Sequence, residues 1–316
     1  MLPAMPLAAR RAPLAVLAIL AAVLLAACGP GGRLTTLGSS DPGAIAAVGA
    51  ENEYADVMAQ VGGPYVRVTA IESNPNTDPH TFEASPSVAR AVSGARLVVQ
   101  NGIGYDTYMN TIEGASPSAG RDVIVAQKLL GLPDSTPNPH LWYLPATMPA
   151  VAAAVAADLS KLDPAHASYF RAALRRFDAS LDPWLAALRS LRAAYPDAPV
   201  ATTEPVGDYM LQAAGTDDLT PFGLQADIMN GVDPAPQDVA AQNALFAGHR
   251  VRAFVYNEQV TDSVTESFLA AAKADGVPVV AVYETMPLGY HYQDWMLAEV
   301  QALRRAIADR VSTVRL

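Results

Sequence analysis

The chain has 316 residues, of which 51% are hydrophobic and 16% charged, and its formal net charge at pH 7 is −10. This length suits two domains with substantial cores, and the hydrophobic content excludes a globally disordered chain. The acidic charge and the lack of basic stripes argue against nucleic acid as a partner and favour a cation or a protein surface.

The first residues have the pattern of an export signal. Arg10 and Arg11 precede the apolar run 13–27, which is shorter than the roughly 20 residues that a transmembrane helix needs. Cys28, the single cysteine of the sequence, follows Leu25-Ala26-Ala27, and this tetrapeptide resembles the bacterial lipobox. We therefore predict a lipoprotein signal peptide over 1–27, lipidation of Cys28 and a Gly- and Ser-rich flexible tether over 28–43. The alternative is a free thiol in an unstructured leader.

Strand and helix patterns alternate over residues 44–145. Strands are predicted at 45–50, 65–71, 96–100 and 122–125, and helices at 51–62 and 85–94. Such alternation is typical of a parallel sheet with helices on its faces. These residues are therefore predicted to form an N-terminal α/β lobe.

Residues 146–195 are predicted to be linking helices. A first helix covers 148–162, and an apolar stripe then runs from Tyr169 to Leu191. The stripe stays in phase across Pro183, so we expect a kink there and not a break. This long rigid helix should fix the spacing of two lobes.

Residues 196–316 repeat the alternation and are predicted to form the C-terminal α/β lobe. Strands are predicted at 198–203, 251–257 and 277–282, and helices at 206–214, 237–248, 262–275 and 294–311. The predicted fold class is α/β, with two parallel-sheet lobes joined by a long rigid helix and a metal site between the lobes.

Four side chains are candidates for that site. His80 follows the first-lobe strand that ends near residue 71, and His140 lies in the Pro-rich loop before the linking helices. Glu204 and Glu284 follow two strands of the second lobe, where open α/β sheets bind their ligands. Each has a simpler interpretation as a turn histidine, a first-turn helix residue or a solvated carboxylate. Glu258 is a rival for either acidic position.

Other functions are less well supported by the residues. A secreted metallohydrolase would need Glu258 as its general base, and the sequence has neither a His-Glu-x-x-His pair nor a Ser or Cys nucleophile motif. A metal-binding surface adhesin is a second alternative, although no adhesive patch is evident. His166, His249 and His291 are interpreted as structural. We predict a binding protein with no catalytic residues.

Two motifs together resemble the TroA-like zinc/manganese solute-binding lipoproteins of bacterial ABC importers. They are Asp78-Pro79-His80-Thr81-Phe82-Glu83 and Asn138-Pro139-His140-Leu141-Trp142, with the intervening segment LVVQNGIGY at 97–105. The resemblance covers the mature chain from about residue 44. It implies two α/β lobes, a monomer, and an ABC importer permease as partner. It also implies a location on the outer face of the cytoplasmic membrane, through a lipid anchor on Cys28.

The resemblance implies His80, His140, Glu204 and Glu284 as ligands of one divalent transition metal. Glu284 stands where the family usually has Asp, and the His-rich insert of many zinc importers is missing from 113–138. Two imidazoles and two carboxylates without a thiolate suit Mn, Zn or Fe(II) and disfavour Cu(I). The expected cargo is Mn or Zn, with Fe possible.

Overall fold

The computed structural model describes residues 34–76 and 79–316, so the predicted signal peptide, Cys28 and Asp78 lie outside the described residues. Two separate parallel sheets flanked by helices, with a long bent helix between them, confirm the predicted α/β class. In the described part of the chain, no helix combines the length and apolar character that crossing a membrane requires.

The first lobe contains a five-stranded sheet. Its strands are β1 (Thr35–Gly38), β2 (Ile45–Glu51), β3 (Val66–Glu72), β4 (Leu97–Gln100) and β5 (Asp122–Val125). Its helices are α1 (Asn52–Gly62), α2 (Pro86–Gly94), α3 (Thr107–Ala115) and α4 (Ala126–Leu129). The strand order is β1-β3-β2-β4-β5, and all pairs except β1–β3 are parallel. Strands β2, β3 and β4 therefore end at one edge of the sheet.

The predicted flexible tether over 28–43 is wrong for residues 35–38. Thr35 to Gly38 pair antiparallel with β3, in a register that places Thr35 opposite Ala70 and Gly38 opposite Arg67. Two β-branched residues and a leucine favour extended backbone, and the edge of β3 supplies the hydrogen-bond partners. The composition of the surrounding Gly- and Ser-rich segment conceals this short strand.

The linking helices are α5 (Thr147–Leu162), α6 (Ala167–Ser180) and α7 (Asp182–Ala194). Leu181, between α6 and α7, has helical angles of φ −79° and ψ −16°, and Pro183 is the second residue of α7. Proline is tolerated in a first turn because that backbone N–H has no intrahelical partner. The chain therefore bends there without leaving the helical conformation, which confirms the predicted kink.

The second lobe contains four parallel strands in the order β7-β6-β8-β9. They are β6 (Ala198–Thr202), β7 (Thr216–Asp218), β8 (Ala253–Asn257) and β9 (Val279–Val282). The helices are α8 (Asp208–Ala214), α9 (Phe222–Met229), α10 (Pro236–Ala247), α11 (Ser263–Ala274) and α12 (Tyr292–Asp309). Strands β6, β8 and β9 bring their carboxyl ends to one edge.

The lobes share a core and are joined directly by hydrogen bonds. One hydrophobic cluster runs from Tyr54 in the first lobe through Trp184 in α7 to Trp295 in α12. On α1, the Asn52 side chain donates to the Met286 carbonyl oxygen at 2.8 Å and accepts from its N–H at 3.0 Å. This contact and the shared core oppose a large rotation of one lobe against the other. The predicted lobe limits, 44–145 and 196–316, stay a prediction.

Candidate metal centre

Three of the predicted side chains converge between the lobes. One ligand atom from each of His80, His140 and Glu284 lies within 4.8 Å of the others. His80 Nε2 is 3.2 Å from Glu284 Oε2, and His140 Nε2 is 3.3 Å from the same oxygen. His140 and Glu284 are buried, whereas the His80 side chain is 30% exposed. The group is therefore closed on the inner side and reaches solvent through His80.

Asn138 fixes the orientation of the His140 ring. Its Nδ2 donates to the Pro205 carbonyl oxygen at 2.6 Å, which directs its Oδ1 towards His140. That oxygen lies 2.8 Å from His140 Nδ1 and accepts from the His140 backbone N–H at 3.0 Å. Nδ1 therefore carries the proton in this contact, and Nε2 faces the carboxylate of Glu284.

The carboxylate of Glu284 is held at both oxygens and at its backbone. Tyr105 Oη donates to Oε2 at 2.9 Å, and Asn257 Nδ2 donates to Oε1 at 2.8 Å. Gln259 Oε1 accepts from the Glu284 N–H at 2.6 Å. Burial raises the pKa of Glu284, but the adjacent side chains of His140 and His80 outweigh it and hold this pKa well below its usual range. The carboxylate is thus kept ionised inside the protein.

The contact between His140 and Glu284 needs a positive charge. Burial lowers the pKa of His140, which favours the neutral imidazole. With Nδ1 protonated towards Asn138, the neutral ring directs a lone pair from Nε2 at a carboxylate oxygen only 3.3 Å away. Two acceptor atoms at this distance require a proton or a cation between them. Imidazole nitrogen and carboxylate oxygen are suitable ligands for a divalent transition metal.

Glu204 lies beside this group but not within it. Its side chain is buried, and its Oε1 accepts from Asn257 Nδ2 at 3.0 Å, the same amide that donates to Glu284. Asn257 thus joins the two carboxylates. The rival Glu258 is turned away, because its Oε1 accepts from Arg315 Nε at 3.1 Å and forms an ion pair with that guanidinium.

Sequence comparison identifies the family. The profile of the family described as "Zinc-uptake complex component A periplasmic", ZnuA, matches residues 48–306. The chain belongs to the ZnuA family. This assignment confirms the resemblance to TroA-like metal-binding proteins that the two histidine motifs indicated.

Individual relatives agree with the family assignment. The manganese-binding lipoprotein MntA of Bacillus subtilis is 28% identical over 143 residues, 42% of this chain and 46% of the relative. A putative metal-binding protein of Treponema pallidum is 21% identical over 279 residues, 83% of this chain and 86% of the relative. The match to MntA therefore spans less than half of that protein.

Solved structures of the family have the same fold. The periplasmic zinc-binding protein TroA of Treponema pallidum superposes with a TM-score of 0.69 at 18% identity, over 86% of this chain and all of TroA. A crystal structure of ZnuA superposes with a TM-score of 0.68 at 20% identity, over 84% of this chain and all of that structure.

The remaining histidines lie outside the ligand group, as their structural interpretation predicted. His166 Nδ1 is 2.6 Å from Asp163 Oδ2, and its ring stacks on Tyr65. His291 Nδ1 is 2.7 Å from Asp56 Oδ1. His249 follows α10 with a φ of +48°.

Several residues that hydrogen-bond to the proposed ligands of this ZnuA-family site were not predicted as site residues. Tyr105 and Gln259 bond to Glu284, Asn138 orients His140, and Asn257 donates to both carboxylates. Asn138 and Tyr105 stand inside the segments that carried the resemblance. Their sequence signal is a polar residue that ends a strand or stands shortly before a ligand. Asn257 is the last residue of β8 and could have been found by the same rule that selected Glu284.

Proposed function

We propose that this ZnuA-family protein captures one divalent transition metal, Mn or Zn, and delivers it to an ABC importer. His80, His140 and Glu284 would bind the ion directly, with Glu204 completing the set. The observation that carries this proposal is the convergence of two imidazole Nε2 atoms on one buried carboxylate oxygen. Family membership supports a transport role, and the proposed protein performs no chemistry on its cargo.

The ligand chemistry supports a narrow choice of metal. Imidazole and carboxylate suit Zn, Mn and Fe(II), and the described part of the chain offers no thiolate at the site. Carboxylates that bind through both oxygens raise the coordination number and favour Mn, whereas Zn binds most such sites more tightly. Titration of the purified protein with Mn and with Zn, followed by thermal unfolding, tests the function directly. A protein that neither ion stabilises would contradict it.

The two acidic candidates can be separated by mutation. We expect Glu204→Gln to weaken metal binding at least about tenfold, because removing a carboxylate ligand costs a charge-assisted contact worth about 1.5–3 kcal/mol. Glu258→Gln is the matched control, since it removes a nearby carboxylate that is paired with Arg315 and lies outside the ligand group. Calorimetric titration of both variants measures the difference. Normal affinity in Glu204→Gln would remove this residue from the ligand set.

Export and anchoring are proposed to depend on Cys28. We expect Cys28→Ser to move the protein from the membrane fraction to the soluble exported fraction, because a lipid chain supplies about 0.8 kcal/mol per buried CH₂ group to membrane binding. Fractionation of cells followed by immunoblotting measures this shift. A variant that stays as firmly attached as the wild type would show that another segment anchors the protein.

The candidate general base of the metallohydrolase alternative is engaged in another contact. A metallohydrolase would need Glu258 beside the metal, and that carboxylate is paired with Arg315. We therefore retain the binding function, with the ABC permease as the partner that receives the ion. Deletion of the gene in its host should lower uptake of the bound metal.

A further inference from the structure

A second group of acidic side chains is buried at the carboxyl edge of the first sheet. Glu51 ends β2 and Glu72 ends β3, and the two are register partners on neighbouring parallel strands. Glu53 lies in the first turn of α1, and Asp106 follows β4. Their exposed fractions are 2% for Glu51, 0% for Glu53, 6% for Glu72 and 1% for Asp106. We call these four residues the acidic cluster.

Most oxygens of the acidic cluster accept no hydrogen bond. Within the described residues, both carboxyl oxygens of Glu51 and of Glu53 are buried without a partner, and so is Oε2 of Glu72. Asp106 differs, because its oxygens accept from the N–H groups of Asn101 at 2.6 Å and Gly102 at 3.0 Å. Two fully buried glutamates with no hydrogen-bond partner cannot both be ionised, since an uncompensated buried charge is very costly.

The neighbours of the acidic cluster do not neutralise it. The groups that act on it most strongly are other acids, tyrosines and the proposed ligands. Outside the cluster itself, these groups are Tyr54, His80, Tyr105, Tyr108, Tyr143, Glu284 and Tyr292. A metal ion is also a poor occupant, because the one group of three or more potential ligands that converges among the described residues is His80, His140 and Glu284.

Protons are therefore left to neutralise the buried carboxylates of the acidic cluster. Burial raises the pKa of Glu51 and of Glu53 well above the usual range. Nearby backbone N–H groups offset part of this effect, and repulsion from neighbouring carboxylates adds to it. Burial likewise raises the pKa of Glu72, to about 8. Near neutral pH, these side chains are therefore held as carboxylic acids.

The acidic cluster is joined to the metal centre by the backbone on both sides. Asn52, between Glu51 and Glu53, exchanges two hydrogen bonds with Met286, which stands two residues after Glu284. The negative charge of Glu284 raises the pKa of both Glu53 and Glu72, and His80 lowers that of Glu72. A divalent cation bound at His80 and Glu284 would reverse the first effect and favour the ionised form of these acids. We propose that Glu53 and Glu72, with Glu51 behind them, hold protons in the metal-free protein and release part of them when the metal binds. This proposal rests on the proposed metal-binding function.

The number of protons released on metal binding tests the proposal. Calorimetric titration with zinc at pH 7.5, in two buffers of different ionisation enthalpy, gives this number. We expect the Glu53→Gln/Glu72→Gln double variant to release about half a proton to one proton fewer per zinc than the wild type. Glu299→Gln is the matched control, because Glu299 is equally buried with a pKa raised to about 8, but hydrogen bonds to Tyr143 and Trp295. Its proton count should equal that of the wild type.

Stability of the metal-free protein supplies a second, independent measurement. An acid whose pKa is raised by folding stabilises the protein below its unfolded pKa, and this contribution is lost as pH rises through the folded value. The melting temperature of the double variant should therefore exceed that of the wild type by a margin that grows as the pH is raised from 5 to 8.5.

These outcomes separate the two proposals. Equal proton counts in the double variant and wild type would overturn the coupling, as would binding of a second zinc ion that the double variant loses. If zinc does not bind at all, both the proposed function and the coupling fail. Protonation of the acidic cluster is judged separately from the metal-free proteins. It is refuted if the difference in melting temperature between the double variant and the wild type does not change with pH.

Discussion

His140→Ala is expected to lose most of the rise in melting temperature that metal produces in the wild type. A ligand at one hundred times its dissociation constant stabilises the folded state by about 2.7 kcal/mol. For a chain of this size, that corresponds to roughly 4–5 °C. The alanine variant removes a fully buried nitrogen ligand and leaves the Asn138 oxygen that oriented it without this partner. Thermal unfolding with and without Mn or Zn measures the effect.

The control for His140→Ala is His249→Ala. His249 follows α10 and lies outside the ligand group, so this variant should keep the full metal-induced shift. Binding also requires neutral imidazole. Burial lowers the pKa of His140, so the wild-type shift should shrink only in acid below the usual titration range of histidine. A shift of wild-type size in His140→Ala would refute the proposed site, whatever the behaviour of the control.

Periodicity was sufficient to predict the fold because each lobe is built from local patterns. Every predicted strand of the two parallel sheets is present, since runs such as 253–256 and 277–282 are apolar and buried on both faces. The strands that were missed, β1 and β7, have four and three residues, and the helices α3, α4 and α9 were also not predicted. Such short strands exist because a neighbouring strand pairs with them, and pairing across the chain is not visible in local spacing.

The sequence predicted which loops approach the candidate site, but not which of their side chains reach its centre. Strand ends led to Glu204 and Glu284, and the Pro-rich loops led to the two histidines. The rule cannot distinguish a side chain that reaches the centre from one held a few ångströms away by an amide, which is the difference between Glu284 and Glu204. Side-chain hydrogen bonds formed by Asn257 decide this, and they depend on three sequence-distant segments.

The acidic cluster was not predictable from sequence. The pattern Glu51-Asn52-Glu53 at the start of a helix is typical of exposed first-turn acids that interact with the helix dipole. Burial of both glutamates arises because the second lobe covers this turn, where Asn52 bonds to Met286. A contact between residues 234 positions apart overrides the local interpretation.

Trp184→Ala is expected to lower the free energy of unfolding by about 3–5 kcal/mol, as is typical when a fully buried large aromatic is truncated. Trp184 has no exposed surface, and its ring packs edge-on against Tyr292 of α12 with the centroids 5.9 Å apart. It therefore joins the bent linking helix to the second lobe. Arg189→Ala, on an exposed position of the same helix, is the control and should change stability by no more than about 0.5 kcal/mol. Urea unfolding of both variants measures the difference. If the tryptophan variant unfolds like the control, the linking helix does not hold the lobes through this contact.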